Sequence, residues 1–379
     1  MPSVSAKSWV FRGLAALISL GVTLLLLEVG LRVLYARDQA RGGDLQKRLE
    51  RSRQTALGST QGSFNMAGLV QPSPHADVVY MLKPGLRGDF RGKQVAINQA
   101  GLRGPEVQTA RPPGVFRIVG LGDSVMFGWG VGQGAEYLRV LEQRLNARGG
   151  TTRFECLNFA VPGYNTFMEA AVLEREGMAY EPDLVIVHFI SNDLGLPLFM
   201  ENPPDPLAWG ESRLLDLVRK RQAWARGDVA GFLEVRKSGE MTPDEMRRVS
   251  GPYQHMAGAA GFRAAMERLA RATGNAPPRA GEPSRRRVPV VLMRGSFSPG
   301  QGGLLDETIQ RYGFVSLDIG PVTERRMREL GYPDDPAAHA KALRIGPGDS
   351  HPNELGHIIY ADGLMDVLVA EGVIGPASG

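Results

Sequence analysis

One cysteine, Cys156, in 379 residues leaves no material for an intrachain disulfide framework or a multi-cysteine metal site. Lysine is scarce, with 7 against 37 arginines, and opposite charges nearly cancel, 44 Lys and Arg standing against 40 Asp and Glu. A net charge of +4 on a chain this long gives no reason to expect a nucleic-acid partner. The one basic triplet, Arg285-Arg286-Arg287, reads as a solvated loop. Internal repeats are absent, and 43% hydrophobic with 22% charged residues is globular composition, which excludes a disordered or fibrous chain.

Two cofactor signatures are also missing where they would be expected. The stretch GLGDSVMFGWG from Gly120 follows an apolar run, but Val125 stands where a dinucleotide fingerprint needs glycine. No lysine lies nearby to complete a phosphate-cradling loop. His351 and His357 are spaced unlike the i, i+4 pair of a helical zinc site. Neither cofactor nor metal is therefore expected.

What the chain does have is a long apolar run near its start. Residues 13–27 carry no charge, and the apolar character from Gly13 to Tyr35 is long enough to cross a bilayer as a helix. Glu28 and Arg32 lie one helical turn apart near its end, where they can pair. Tyr35-Ala36-Arg37 is a poor cleavage site, which favours a span over a signal peptide; a buried core helix is the remaining alternative. Lys7 and Arg12 before the run balance Arg32, Arg37 and Arg41 around its end, so the positive-inside rule gives no orientation. The expected division is an anchor over 1–36, a stalk and hairpin over 37–114, and a main domain over 115–379. The stalk is polar to residue 75, with one short helix near Leu45–Arg53. The hairpin pairs VVYML from Val78 with KQVAIN ending at Asn98.

Beyond Pro112-Pro113-Gly114 the periodicity alternates. Buried strands are expected at Phe116–Leu121, Phe154–Phe159, Leu184–Ile190, Val288–Met293 and Phe314–Ile319, with helices over Glu136–Ala147 and Thr166–Gly177 between them. Continuous apolar strands separated by helices predict a parallel sheet covered on both faces, an α/β/α sandwich. Residues 194–285 are too long for one crossover and read as a helical insertion, with Phe262, Met266, Leu269 and Ala270 on one stripe of its clearest helix.

Four blocks sit at strand ends, the rim where open α/β sheets place their ligands. Ser124 follows the first strand. Gly163 lies in NFAVPGYNT, where a glycine N–H can approach a developing oxyanion; a strand-to-helix turn capped by Asn165 or Thr166 explains the block equally well. Asn192, in Ser191-Asn192-Asp193, is either an oxyanion donor or a turn residue. His351, with Asp349 two residues earlier, is either an oriented base or part of a capping turn before Asn353. His357 falls inside the last helix and reads as structural.

Taken in this order, the four blocks resemble the SGNH (GDSL-like) hydrolase superfamily over residues 116–372. The resemblance implies a three-layer α/β/α flavodoxin-like domain. It also implies an acyl-serine mechanism with Ser124 as nucleophile, His351 as base and Asp349 as its acid partner. Ser124, Gly163 and Asn192 would form the oxyanion hole. Position 348, where the usual block has its aspartate, is glycine here, so Asp349 takes that role at the shorter spacing. The apolar run, the INQAGLRGPE stretch over Ile97–Glu106 and the Gly-Asp-Ser strand together resemble membrane-anchored bacterial members. That implies a single-pass inner-membrane protein with an extracytoplasmic catalytic domain. The expected substrate is an acyl ester, with acetyl on a carbohydrate or another cell-envelope group as the first choice. Two rivals stay open: an O-acyltransferase using the same site, and an inactive glycan-binding or scaffold protein. Trp209, Trp224 and Tyr253 of the insertion are candidates for a sugar-facing wall or for core.

Overall fold

A computed structural model describes residues 6–40, 63–64, 66–198, 212–215, 218, 251–278 and 284–374. The expected helix near Leu45–Arg53, together with Trp209 and Trp224, lies outside these residues. The chain forms two compact units: residues 1–47 with 201–233, and residues 48–200 with 234–379.

In the first unit, helix α1 (Ala6–Ala40) contains the stretch Phe11–Leu34, of mean hydropathy 2.3, whose apolar side chains are largely exposed. Its 24 residues give ~36 Å at helical rise. That is enough for a ~30 Å hydrocarbon core, a test that a signal sequence near an N-terminus also passes. Glu28 and Arg32 do pair, with Arg32 Nε donating to Glu28 Oε1 at 2.9 Å. The same carboxylate accepts the N–H groups of Arg213 and Leu214 at 2.8 and 2.9 Å and the Ser212 hydroxyl at 2.9 Å. It thereby satisfies donors that the first turn of a helix otherwise leaves bare.

The second unit opens with a small β layer: β1 (Ser63–Phe64), α2 (Met66–Leu69), β2 (Val70–Pro72), β3 (Tyr80–Leu82), β4 (Arg87–Phe90) and β5 (Lys93–Ala96). The single hairpin expected over Val78–Asn98 is replaced by two pairings. Tyr80–Leu82 pairs back with Val70–Pro72, while Lys93–Ala96 pairs with Arg87–Phe90. Arg91 and Gly92, at φ 55° and 77°, make the two-residue turn, whose two positive φ values suit the strand twist. That turn separates β4 from β5 and leaves β3 free to find a partner upstream.

The main sheet has five strands, β6 (Val115–Leu121), β7 (Arg153–Asn158), β8 (Leu184–Phe189), β9 (Val290–Arg294) and β10 (Val315–Asp318), in the order β10-β9-β8-β6-β7 and all parallel. This is the flavodoxin-like order. Each strand falls within a residue or two of its expected position. The central strand β8 is buried along its whole length, as its unbroken run LVIVHF requires. Each such aliphatic side chain contributes about 1.5–3 kcal/mol when removed from water.

The order in which strands are added reverses after β7, so right-handed crossovers put the helix before β7 on one face and the helices after it on the other. Helix α4 (Tyr137–Ala147) lies on one face, and α5 (Thr166–Arg175), α6 (Gly258–Ala272) and α7 (Pro299–Tyr312) on the other. The chain then runs through α8 (Ile319–Glu329), α9 (Pro336–Leu343), the hairpin β11 (Arg344–Gly346) and β12 (Asp349–Pro352), and α10 (Glu354–Ala370). Helix α10 packs on α4 and α8, while α5 packs on α6, which completes three layers. The stripe Phe262, Met266, Leu269 and Ala270 is buried, as its spacing predicts. Between β6 and its two neighbours the topology switches direction, and the carboxyl ends of those three strands carry the candidate site.

Candidate active site

Strand β6 ends at Leu121, and the short helix α3 (Ser124–Phe127) begins immediately after the turn. Asp123 caps it: Oδ1 accepts the Val125 N–H at 2.9 Å, so this buried carboxylate is fixed by the backbone it serves. Its other oxygen accepts from the Ser124 hydroxyl at 3.1 Å and from Asn192 Nδ2 at 3.0 Å. Asp123 thus ties the block after β6 to the block after β8. The Asn192 side chain is turned toward Ser124 while its backbone serves the turn.

The loop after β7 runs alongside the same turn, with Phe159 N–H bonded to Gly120 O and Val161 N–H to Gly122 O. Within it Gly163 has φ +79°, and a Cβ there would lie 2.5 Å from Leu198 Cβ and 2.9 Å from Tyr80 Oη. Both the backbone and the space therefore demand glycine. Asn165 caps α5 through the Met168 N–H, so the capping explanation for this block holds as well. The Asn165 amide also donates to Gly195 O and Met256 O, and Leu198 N–H donates to Gly163 O. Gly195, Leu198 and Met256 of the insertion are thereby fastened beside the Gly163 loop.

Asp349 and His351 were expected in a loop and instead belong to strand β12, which pairs with β11. Strand periodicity explains why a two-residue spacing works: alternate side chains share a face, and exposed Ser350 points away. His351 Nε2 lies 2.8 Å from Ser124 Oγ, and Nδ1 lies 2.6 Å from Asp349 Oδ1. The carboxylate selects the tautomer with hydrogen on Nδ1, leaving Nε2 to accept from the serine. Partial burial opposes the charge on Asp349. Hydrogen bonds from the His351 ring and backbone N–H and from Trp129 outweigh it and hold the carboxyl below its ordinary range. The serine proton has two acceptors within reach, Asp123 and His351. A general-base step requires the second.

Three neighbours of this chain of bonds were not read from the sequence. Trp129 Nε1–H donates to Asp349 Oδ2 at 3.1 Å, and the indole stacks on the His351 ring at 5.1 Å between centroids. Arg91, from the β4–β5 turn, donates to the same Oδ2 at 3.0 Å and lies over the Trp129 ring at 4.7 Å. Trp129 sat within the quoted serine motif, whereas nothing local to Arg91 signals a partner 258 residues away. Arg103, of the INQAGLRGPE stretch, is buried and donates to the carbonyls of Phe127, Gly128, Val131 and Gly132, with Glu136 at 3.8 Å. It holds the loop that carries Trp129.

Beneath the rim lie groups that touch no reacting atom. His357 is fully buried in α10, and its Nδ1 accepts the Tyr137 N–H at the start of α4. Burial pushes its pKa down to about 3, so it is a neutral structural acceptor. His188 is likewise neutral, its pKa pushed to about 3 by burial, with Nδ1 2.9 Å from Tyr137 Oη. Glu169 and Asp193 are buried carboxyls pushed well above their ordinary range, first by burial and then by nearby carboxylates. Among the described residues no cluster of three or more His, Cys, Asp or Glu could hold a metal.

Residues 121–277 match the model of the GDSL-like lipase/acylhydrolase family. No curated protein matches the chain. Among solved structures, an α/β hydrolase enzyme from the metagenome of Lake Arreo, Spain, is similar at 17% identity and TM-score 0.39, with 69% of this chain and 97% of that one covered. An acetylxylan esterase from Geobacillus stearothermophilus is similar at 15% identity and TM-score 0.40, over 67% of this chain and 94% of its own. A lipase/acylhydrolase from Enterococcus faecalis gives 14% and 0.40, over 70% and 100%.

Proposed function

Because the chain carries a GDSL-like lipase/acylhydrolase domain and is a serine hydrolase acting on esters, we propose that Ser124 is its nucleophile, working through an acyl-serine intermediate. The observation that carries this reading is the continuous run of hydrogen bonds from Asp349 through His351 to Ser124 Oγ, at 2.6 and 2.8 Å. Ser124 passes its proton to His351 Nε2 as Oγ adds to the ester carbonyl carbon, and the carbonyl electron pair moves onto oxygen. The Ser124 and Gly163 N–H groups and the Asn192 amide receive that oxyanion. As the intermediate collapses, the C–O bond to the alcohol breaks, and the leaving oxygen takes the proton from His351. Water then repeats the sequence on the acyl-serine, with His351 again base and then acid. Asp349 remains a carboxylate throughout, holding the imidazole and balancing its charge.

The substrate is an acetyl ester of a cell-envelope carbohydrate. Crowding of Gly163 by Leu198 and Tyr80 favours a short acyl group. The apolar N-terminal helix favours a single-pass protein, and the resemblance to membrane-anchored members implies the extracytoplasmic side for its catalytic unit. The test uses an activated acetyl ester with increasing oligosaccharide. Acetate release that is indifferent to the sugar is the expected result; acetyl-sugar rising at the expense of acetate would replace hydrolysis with transfer. Ser124→Ala should keep the Tm and lose essentially all turnover, and full turnover by that variant would end the acyl-serine reading.

A further inference from the structure

We propose that Arg91 and Trp129 are positioning residues: together they fix Oδ2 of Asp349 and confine the imidazole of His351, which aims Nε2 at Ser124. The inference rests on the acyl-serine reading and extends it to two side chains from separate parts of the chain.

The need for such a clamp follows from the backbone around Asp349. Strand β12 is four residues long, and its pairing with β11 shifts register between Arg344 and Gly346. So short and irregular a ladder cannot by itself hold a carboxylate to hydrogen-bond tolerance. The side-chain bonds supply what the ladder lacks. An ionised carboxylate offers about four acceptor sites. At Asp349, Oδ1 accepts two donors from His351, its ring and its backbone N–H, while Oδ2 accepts one from Trp129 and one from Arg91. With donors on both oxygens, the carboxylate plane cannot turn without breaking bonds on both sides.

Trp129 acts twice. Its edge donates to Asp349 and its face lies nearly parallel to the His351 ring, at 22°, which limits tilting of the imidazole. The guanidinium of Arg91 lies 4.7 Å from the centroid of the same indole, so Trp129 contacts both a cation and the imidazole. Phe90 meets the same indole edge-on at 5.1 Å. Each clamp residue has its own support: Arg91 occupies a tight two-residue turn, and the carbonyls flanking Trp129 are bonded to buried Arg103. A lone exposed ion pair would contribute little, and Arg91 is 47% exposed. What distinguishes this pair is that its acceptor oxygen is shared with a stacked indole in contact with the imidazole.

The experiment uses the full-length protein with Arg91→Gln, Trp129→Phe, the double variant and Arg91→Lys. Both single variants should lower kcat about 10- to 100-fold, the range expected of a misaimed catalytic group, with KM little changed. Lysine at 91 should restore part of the loss, since it returns the charge but not the planar fork. In proton NMR without substrate, the hydrogen-bonded proton on His351 Nδ1 should weaken or broaden in the double variant. Unchanged kcat and an unchanged proton signal would overturn the proposal, and so would a rise confined to KM, which would make Arg91 a substrate contact. Ser124→Ala separates the two levels. Turnover surviving that change would sink the acyl-serine reading, while the Nδ1 proton would still report on the clamp alone.

Discussion

At the scale of single residues, the carboxyls under the site are partnered in two opposite ways, although both are buried. Asp123, almost fully buried, accepts from a backbone N–H, a hydroxyl and an amide. Glu169 lies close enough to Asp123 to feel its charge, and neither of its own oxygens has a hydrogen-bond partner. It is therefore held as the neutral acid. The sign of the consequence is fixed. The folded state keeps a proton that the unfolded chain releases at about pH 4.3, so stability falls as pH rises above that value toward the raised folded pKa. Glu169→Gln removes this titration at nearly constant shape. Thermal melts across pH should show the wild type losing Tm toward alkaline pH and the variant losing less, with Asp193 responsible for the remaining slope in the same direction. Equal slopes in the two proteins would mean that Glu169 is ionised in the fold.

At the scale of elements, the loop from Phe127 to Gly132 has no regular ladder of its own. Its shape is held by one guanidinium, which donates to four of its carbonyls, two of which, Gly128 and Gly132, also accept a backbone N–H. Arg103→Ala strips those bonds and takes from Glu136, whose carboxyl burial already pushes upward, its strongest counter-charge, with Arg139 contributing less. A loss of about 3–5 kcal/mol is expected, the range for breaking a buried pair, read from denaturant unfolding. Loss of only a few tenths would show that the loop holds itself.

This element also marks the limit of what the sequence discloses. Strands β6 to β10 were legible because a strand buried on both faces must be apolar throughout, and the stripe of α6 was legible because a helix repeats every 3.6 residues. Ser124, Gly163, Asn192 and His351 could be singled out as candidates because each follows such a strand, or stands in a block whose residue types suit one chemistry. The pairing of β3 with β2 was not, because short strands of mixed polarity carry no register signal. Arg91 was not, because its role depends on a contact between a turn near the start and a strand near the end. Arg103 belonged to a stretch singled out for its resemblance alone; only its packing reveals what it holds.

At the scale of the whole molecule, every residue of the candidate site lies in the unit formed by 48–200 and 234–379, while the apolar helix belongs to the other unit. Removing residues 1–36 should therefore give a soluble protein that turns over a small ester with kcat unchanged. What the deletion does remove is Glu28, the acceptor for Arg213 and Leu214, so proteolysis near residue 212 should become faster. A folded truncated protein without activity would show that the first unit contributes to the reaction.

The hydrogen bond between His351 and Ser124 joins positions 227 residues apart. During synthesis the nucleophile leaves the ribosome long before its base. Sheet strands β6 to β8 can assemble as they emerge, bringing Ser124, Gly163 and Asn192 together while the serine still has only Asp123 to accept its proton. If Ser124 and His351 act as proposed, such a nascent chain has the serine without its base. Closure of the β11–β12 hairpin onto Trp129 and Arg91 would then complete the site, and the order of manufacture would also be its safety catch.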